Sequence, residues 1–247
     1  MENKKSFYEN IIVVVLGAIL CNFLWGSATP AIKTGYKLFN IASSDTASVV
    51  LFAGVRFFIA GFMVVIAGSF IQKSVLIPKS FNSVKKVIIL GLFQTVLQYF
   101  FFYGGLTRTP GVKSSIILAT NVFASLLIAS LVFKQEKLTV SKIIGCIIGS
   151  FGVVLVNVFG NELDYKITFG GEGFIFLSSV CYGISGSLVK RFSKEENTVM
   201  LSGCQFIFGG TIMIIAGLIL GGKFSGFTLK TISLFNSFTD ILLCIFN

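Results

Sequence analysis

The chain has 247 residues, 54% of them hydrophobic and only 12% charged, with a mean hydropathy of +0.90. Soluble domains carry about 25% charged residues, so this composition excludes a water-facing surface. The formal net charge of +10 would suggest nucleic acid in a soluble chain; here it reports topology instead, and no nucleic-acid partner is expected.

Apolar runs occupy residues 11–32, 48–71, 86–106, 112–133, 141–159, 173–191, 198–221 and 231–246. A bilayer core of about 30 Å needs roughly 20 helical residues to cross, so the first seven runs are credible spans and the eighth is short. The runs are continuous rather than alternating, which selects helices over barrel strands. The expected fold is all-α, a polytopic membrane helical bundle embedded in the lipid bilayer.

In the first run, "NFLWGSATPAIK" puts Trp25, Gly26 and Pro30 where a helix is weakened. Pro30 frees a carbonyl near Gly26, so a bend lining a cavity is expected, the alternative being a kink tolerated near a helix end. Trp25 reads as cavity wall or as interfacial belt. Lys4 and Lys5 ahead of an apolar core also fit a signal peptide, but a related helix reappears later in the chain.

Arg56 lies about nine residues into the second run, roughly 13 Å deep at 1.5 Å per residue. Such a charge costs about 2.5–3.5 kcal/mol on translocon scales and should face the bundle interior. It reads either as an anion or carboxylate contact or as a structural bond to helix carbonyls. Gln94 and Gln98 in the third run share a helix face at i, i+4, with Tyr103 further along. Their amides suit a polar solute or interhelical bonds. Asn121, beside Thr120, falls in the fourth run. Gly145, Gly149 and Gly152 in the fifth fit packing within the bundle or against a second subunit, which would make a homodimer. Tyr182 and Gln205 follow in the sixth and seventh, and Asp240 interrupts the eighth. All five cysteines, Cys21, Cys146, Cys181, Cys204 and Cys244, fall inside the runs as small apolar fillers. With no histidine in the chain, neither metal nor cofactor is expected.

With the N-terminus in the cytoplasm, twelve lysines and arginines fall inside and seven outside, Arg56 completing the twenty. That asymmetry favours a cytoplasmic N-terminus.

The chain also echoes itself. At a shift of 157, "WGSATPAIK" meets "YGISGSLVK", placing Trp25 on Tyr182 and Lys33 on Lys190. At a shift of 149, Gly54, Gly61 and Gly68 fall on Gly203, Gly210 and Gly217, Phe57 on Phe206 and Arg56 on Gln205. A sixth run that restarts the first defines a unit of five spans. An odd unit enters the second time from the opposite side, giving inverted repeats. Residues 11–159 would form the first repeat and 173–247 an incomplete second one. Counterparts of runs four and five are missing, so a ten-span parent altered or truncated near Leu234 is expected.

These residues, together with "FFYGGLTRTPGVKSSIILATNVF" and the glutamate of "QEKLTVSKIIGCIIGSFGVVLVN", resemble the EamA-type branch of the drug/metabolite transporter superfamily over about residues 11–233. The resemblance implies ten helices in two inverted five-helix repeats around a central cavity, in a bacterial-type plasma membrane. Asn121 stands where many relatives have a helix-breaking proline. The implied function is alternating-access transport of small organic metabolites or drugs, with Trp25, Arg56, Gln94, Gln98, Asn121, Tyr182 and Gln205 as candidate solute contacts. A non-transporting membrane protein, a remnant or a structural partner of another chain, is the second reading. A membrane enzyme ranks last, since the cytoplasmic segments offer no metal cluster, nucleophile and base pair, or phosphate loop.

Overall fold

The structure, a computed structural model, describes residues 11–42, 44–158 and 168–223; the expected run at 231–246, with Asp240 and Cys244, lies outside them. All regular structure among the described residues is helical: α1 (Ile11–Leu38), α2 (Thr46–Gln72), α3 (Phe81–Leu106), α4 (Gly111–Ala119), α5 (Asn121–Leu127), α6 (Val140–Val158), α7 (Phe169–Phe192) and α8 (Thr198–Ile219). Five stretches among the described residues are long and apolar enough to cross a membrane: α2, α3, α7, α8, and Lys113–Val132, which joins α4 to α5 and its π-helical extension. Large apolar side chains such as Phe62, Ile66, Phe70, Ile215 and Ile219 are exposed along them. Water would not tolerate that many, but lipid does. The protein is a multi-pass helical membrane bundle.

Contacts divide the chain into residues 42–223, holding α2 to α8, and a second unit of residues 1–41 with 224–247. Within the second unit α1 runs unbroken through Gly26, Ser27 and Pro30 to Leu38, past the expected end at residue 32. Pro30 therefore does not end the helix; it removes one donor to Gly26 and leaves the neighbouring turns intact. Asn22 satisfies its own amide by donating to the Ala18 carbonyl at 2.7 Å. The helix closes with Asn40 in the left-handed region (φ 51°) while the Ile41 N–H reaches back to the Tyr36 carbonyl at 2.8 Å, a carbonyl-satisfying stop.

The centre of residues 42–223 is the antiparallel crossing of α2 and α8, and glycine decides it. A β-carbon at Gly54 would lie 2.7 Å from the Ile214 nitrogen and 3.0 Å from the Gly210 carbonyl oxygen. One at Gly210 would lie 2.6 Å from the Phe58 nitrogen and 2.8 Å from the Gly54 oxygen. A turn or two along, one at Gly61 would lie 2.7 Å from the Gly203 oxygen, and Gly217 is pressed equally hard on Leu51. Without a hydrophobic force between helices in lipid, close backbone approach through small residues supplies the attraction. The rows at seven-residue spacing thus face each other, and the contacts are reciprocal. Gly54 meets Gly210 as Gly61 meets Gly203, and Phe57 stacks on Phe206 with ring centroids 5.4 Å apart at 16°.

Helix ends sort into two groups. At one end Lys86 Nζ pairs with Glu195 (2.8 Å) and Glu196 (3.0 Å), Ser83 Oγ donates to Glu196 (2.7 Å), and Asn197 Nδ2 donates to Gln72 Oε1 (2.7 Å). An apolar cluster of Leu76, Val87, Leu90, Leu188, Met200 and Leu201 backs this end. At the other end Lys113 pairs with Glu172 at 3.2 Å. Glu172 also accepts from the N–H and hydroxyl of Thr168, each at 2.9 Å, capping the π-helical turn Phe169–Gly173 that opens α7. The Lys223 N–H donates to Ser48 Oγ at 3.0 Å. Each group holds the loops that alternating crossings require on one side.

The glutamate ahead of α6 clamps the first of these ends. Glu136 accepts from Lys142 at 2.7 Å and Lys190 at 2.8 Å, and Gln135 Nε2 donates to the Ser187 carbonyl at 2.8 Å. Hydrogen bonds from the two ammonium groups hold the Glu136 carboxyl at about 2, against an ordinary 4.5. A carboxyl depressed in the folded state contributes stability that is complete above its unfolded value and is lost as pH falls toward the folded one. The clamp should therefore weaken from about pH 4.5 down to about 2. All three groups touch water, so the contribution is small. Thermal unfolding midpoints of the protein and of Glu136→Gln should converge across that window; a constant gap down to pH 2.5 would show that Glu136 is not the titrating group.

A β-carbon at Gly145, Gly149 or Gly152 would meet nothing within 4 Å among the described residues outside its own helix backbone. Where packing within the bundle was one expectation for this GxxxG face, the structure leaves it open, because α6 packs chiefly on α4.

Candidate solute site in the membrane

Arg56 of α2 and Gln205 of α8 lie near the glycine crossing of those two helices, and α3 packs against both. The contacts of Gly54 with Gly210 and Gly61 with Gly203 place Gln205 level with Ile59 of α2. Arg56 lies three residues from that level, about 4.5 Å along the axis. Gln205 is fully buried, and its Oε1 accepts from Thr95 Oγ1 of α3 at 2.9 Å. The approach is close because Gly209 leaves room for the Thr95 side chain, 2.5 Å from where a β-carbon would sit.

Gln94 and Thr95 belong to a π-helical turn, Leu92–Leu97, inserted between the α-helical halves of α3. Such turns change helix register and recur at functional sites. After it, Tyr99 packs on Phe57 with centroids 4.7 Å apart and on Tyr103 at 5.7 Å. It lies within electrostatic reach of Arg56, Tyr103 and Tyr182. Arg56, 9% exposed, rests its guanidinium carbon 4.9 Å from the Phe57 ring centroid. On the other flank Gly183 of α7 approaches Ser125 of α5, 3.0 Å from its Cα, which sets neighbouring Tyr182 near the chain segment carrying Asn121. The helix is interrupted at Thr120, whose hydroxyl donates to the Ile117 carbonyl at 2.6 Å. Asn121 starts the next helical segment without a proline.

The polar atoms here share an unusual property. Arg56 Nε, Gln94 Oε1, Gln98 Oε1, Asn121 Oδ1 and Gln205 Nε2 are all buried and lack a hydrogen-bond partner among the described residues, as do Ser125 and Ser130 on α5 and its extension. Roughly nine in ten buried polar groups are paired in folded proteins, so a concentration of exceptions calls for water or a solute. Five of the seven residues expected from sequence are among them. Tyr182 joins the aromatic surround, whereas Trp25 lies on α1 in the other unit and its side chain is outside the described residues. Sequence reasoning missed Thr95, Tyr99 and Ser125. Ser125 follows Asn121 by four residues and was readable on that face; the π-helical turn that sets Thr95 and Tyr99 leaves no local signal.

Among the described residues no group of His, Cys, Asp and Glu could hold a metal ion. Cys146, Cys181 and Cys204 are free thiols.

The sequence profile of the EamA-like transporter family matches residues 12–158. An uncharacterized transporter of Archaeoglobus fulgidus is 28% identical over 75% of this chain and 60% of its own length. The uncharacterized transporter YyaM of Bacillus subtilis is 26% identical over 60% of this chain and 47% of its own. A WAT1-related chloroplastic protein of Arabidopsis thaliana is 23% identical over 80% and 45%. The chain spans about half the length of the curated relatives it matches. With the family profile covering more than half of its residues, this chain belongs to the EamA-like transporter family.

Proposed function

We propose that the protein carries small organic metabolites or drugs across a plasma membrane by alternating access, with its N-terminus in the cytoplasm and the Arg56 layer as the solute site. The supporting observation is the set of unpartnered buried polar atoms on α2, α3, α5 and α8, which a polar solute would satisfy. The reciprocal Gly54·Gly210 and Gly61·Gly203 contacts, with Phe57 stacked on its repeat equivalent Phe206, support inverted repeats. In an isologous pair, residue i meets j and j meets i across a two-fold axis, and such an axis in the membrane plane is the basis of rocking between inward and outward states. The family profile ends at residue 158, close to the end of the first five-run unit. The open glycine face of α6 leaves room for a second copy.

Accessibility tests this without knowing the solute. With the native cysteines replaced by alanine, Asn121→Cys in sealed vesicles should react with a membrane-impermeant maleimide added from either side. Labelling from one side only, in vesicles of both orientations, would reject alternating access.

A further inference from the structure

Arg56 is the one cation among the described residues that lies more than two turns from a helix end. A deep charge of this kind normally has a counter-charge. Here every described carboxylate is engaged at an end of the bundle: Asp45 with Ser48, Glu136 with Lys142 and Lys190, Glu172 with Lys113, and Glu195 and Glu196 with Lys86. Arg56 instead lies over the Phe57 ring, and its Nε lacks an acceptor among the described residues.

A guanidinium offers five donors in a rigid plane and matches a carboxylate with two parallel hydrogen bonds. The amides of Gln94, Gln98, Asn121 and Gln205, each with an unpartnered buried atom, contain both a donor and an acceptor. They can therefore serve one further polar group on the same solute, of either sign of hydrogen-bond polarity. Phe57, Tyr99 and Phe206 supply flat apolar walls between these polar points. A cationic amine would meet like charge at Arg56 with no described carboxylate to offset it.

We infer that the solute bound at the Arg56 layer is a small organic monoanion, a carboxylate with a compact apolar body and one additional polar group. The inference deepens the carrier reading and rests on it for the site's purpose, but binding can be measured without transport.

The test uses the purified full chain in nanodiscs and three acids, 4-hydroxybenzoate, benzoate and 3-hydroxybutyrate. 4-Hydroxybenzamide and 4-hydroxybenzylamine serve as neutral and cationic counterparts. At millimolar concentration at least one acid should raise the thermal unfolding midpoint, with smaller or no shifts from the amide and the amine. Arg56→Gln should abolish the acid's shift and Arg56→Lys should keep part of it. An amide as effective as its acid, a shift that survives Arg56→Gln, or a flat response to all three acids would overturn the inference. Asp240→Asn should leave the shift unchanged; a shift that appears or grows only when Asp240 is removed means that Arg56 is already paired within the chain, which also overturns it. Acid binding combined with one-sided labelling of Asn121→Cys would sink the carrier reading alone, and two-sided labelling without acid preference would sink only the anion.

Discussion

Gly210→Leu is expected to leave little folded protein in the membrane. A β-carbon at this position would lie 2.6 Å from the Phe58 nitrogen, a backbone atom that cannot swing aside. A leucine would force α2 and α8 apart along the seam where Gly54, Gly61, Gly203 and Gly217 also touch backbone or side chain. Overpacking a fitted interior costs about 1–3 kcal/mol, and separating the helices adds the lost contacts of their neighbours. Against a total stability of about 5–15 kcal/mol, a loss of about 3 kcal/mol or more should appear as a collapsed monodisperse yield and a lowered melting point. Gly145→Leu is the matched control. A β-carbon at Gly145 would meet no described residue within 4 Å beyond its own helix backbone, and leucine is the better helix former by nearly 1 kcal/mol, so this variant should fold at least as well as the parent. If Gly210→Leu melts at the parent temperature, the close crossing is not what holds α2 to α8. A failing Gly145→Leu would show instead that a second copy covers the face of α6.

Under the proposed carrier function, Arg56→Leu is expected to cut solute flux ten-fold or more while leaving the protein as stable as before or more so. The two readouts separate the readings of this residue. An arginine bonded to helix carbonyls would be missed by the fold, because removing it leaves acceptors unpaired. An arginine held ready for a solute is a cost in the resting protein. Removing a deep charge should recover part of the roughly 2.5–3.5 kcal/mol that its insertion requires, a stability gain at the expense of activity. The unpartnered Nε and the absence of any described carboxylate beside it favour the second outcome. Flux at parent levels, or a melting point lowered by several degrees, would assign Arg56 to the scaffold.

Several parts of this protein were readable from the one-dimensional pattern. The runs marking α2, α3, α7 and α8 were found within a few residues, because the bilayer demands a minimum apolar length and that demand is local. Arg56, Gln94, Gln98, Asn121 and Gln205 stood out for the same reason: polar side chains are conspicuous in apolar runs. The structure extended several boundaries. α3 starts at Phe81 rather than residue 86, since Ser80 caps it through the Ser83 N–H at 3.1 Å, and amphipathic first turns do not score as apolar. α1 passes through Pro30 because one missing donor does not outweigh the hydrogen bonds on either side.

What sequence by itself determined is therefore the class of the molecule, the position of its spans and the short list of polar residues placed where lipid would reject them. Tertiary structure alone decided that one glycine row meets another while the GxxxG of α6 meets nothing among the described residues, that Phe57 stacks on Phe206, and that a π-helical turn delivers Thr95 to Gln205 and precedes Tyr99, which packs on Phe57. The physical reason is that lipid tails and helix surfaces are equally apolar. Hydropathy distinguishes membrane from water, but only the fit of one helix surface to another distinguishes a face that packs from a face that does not.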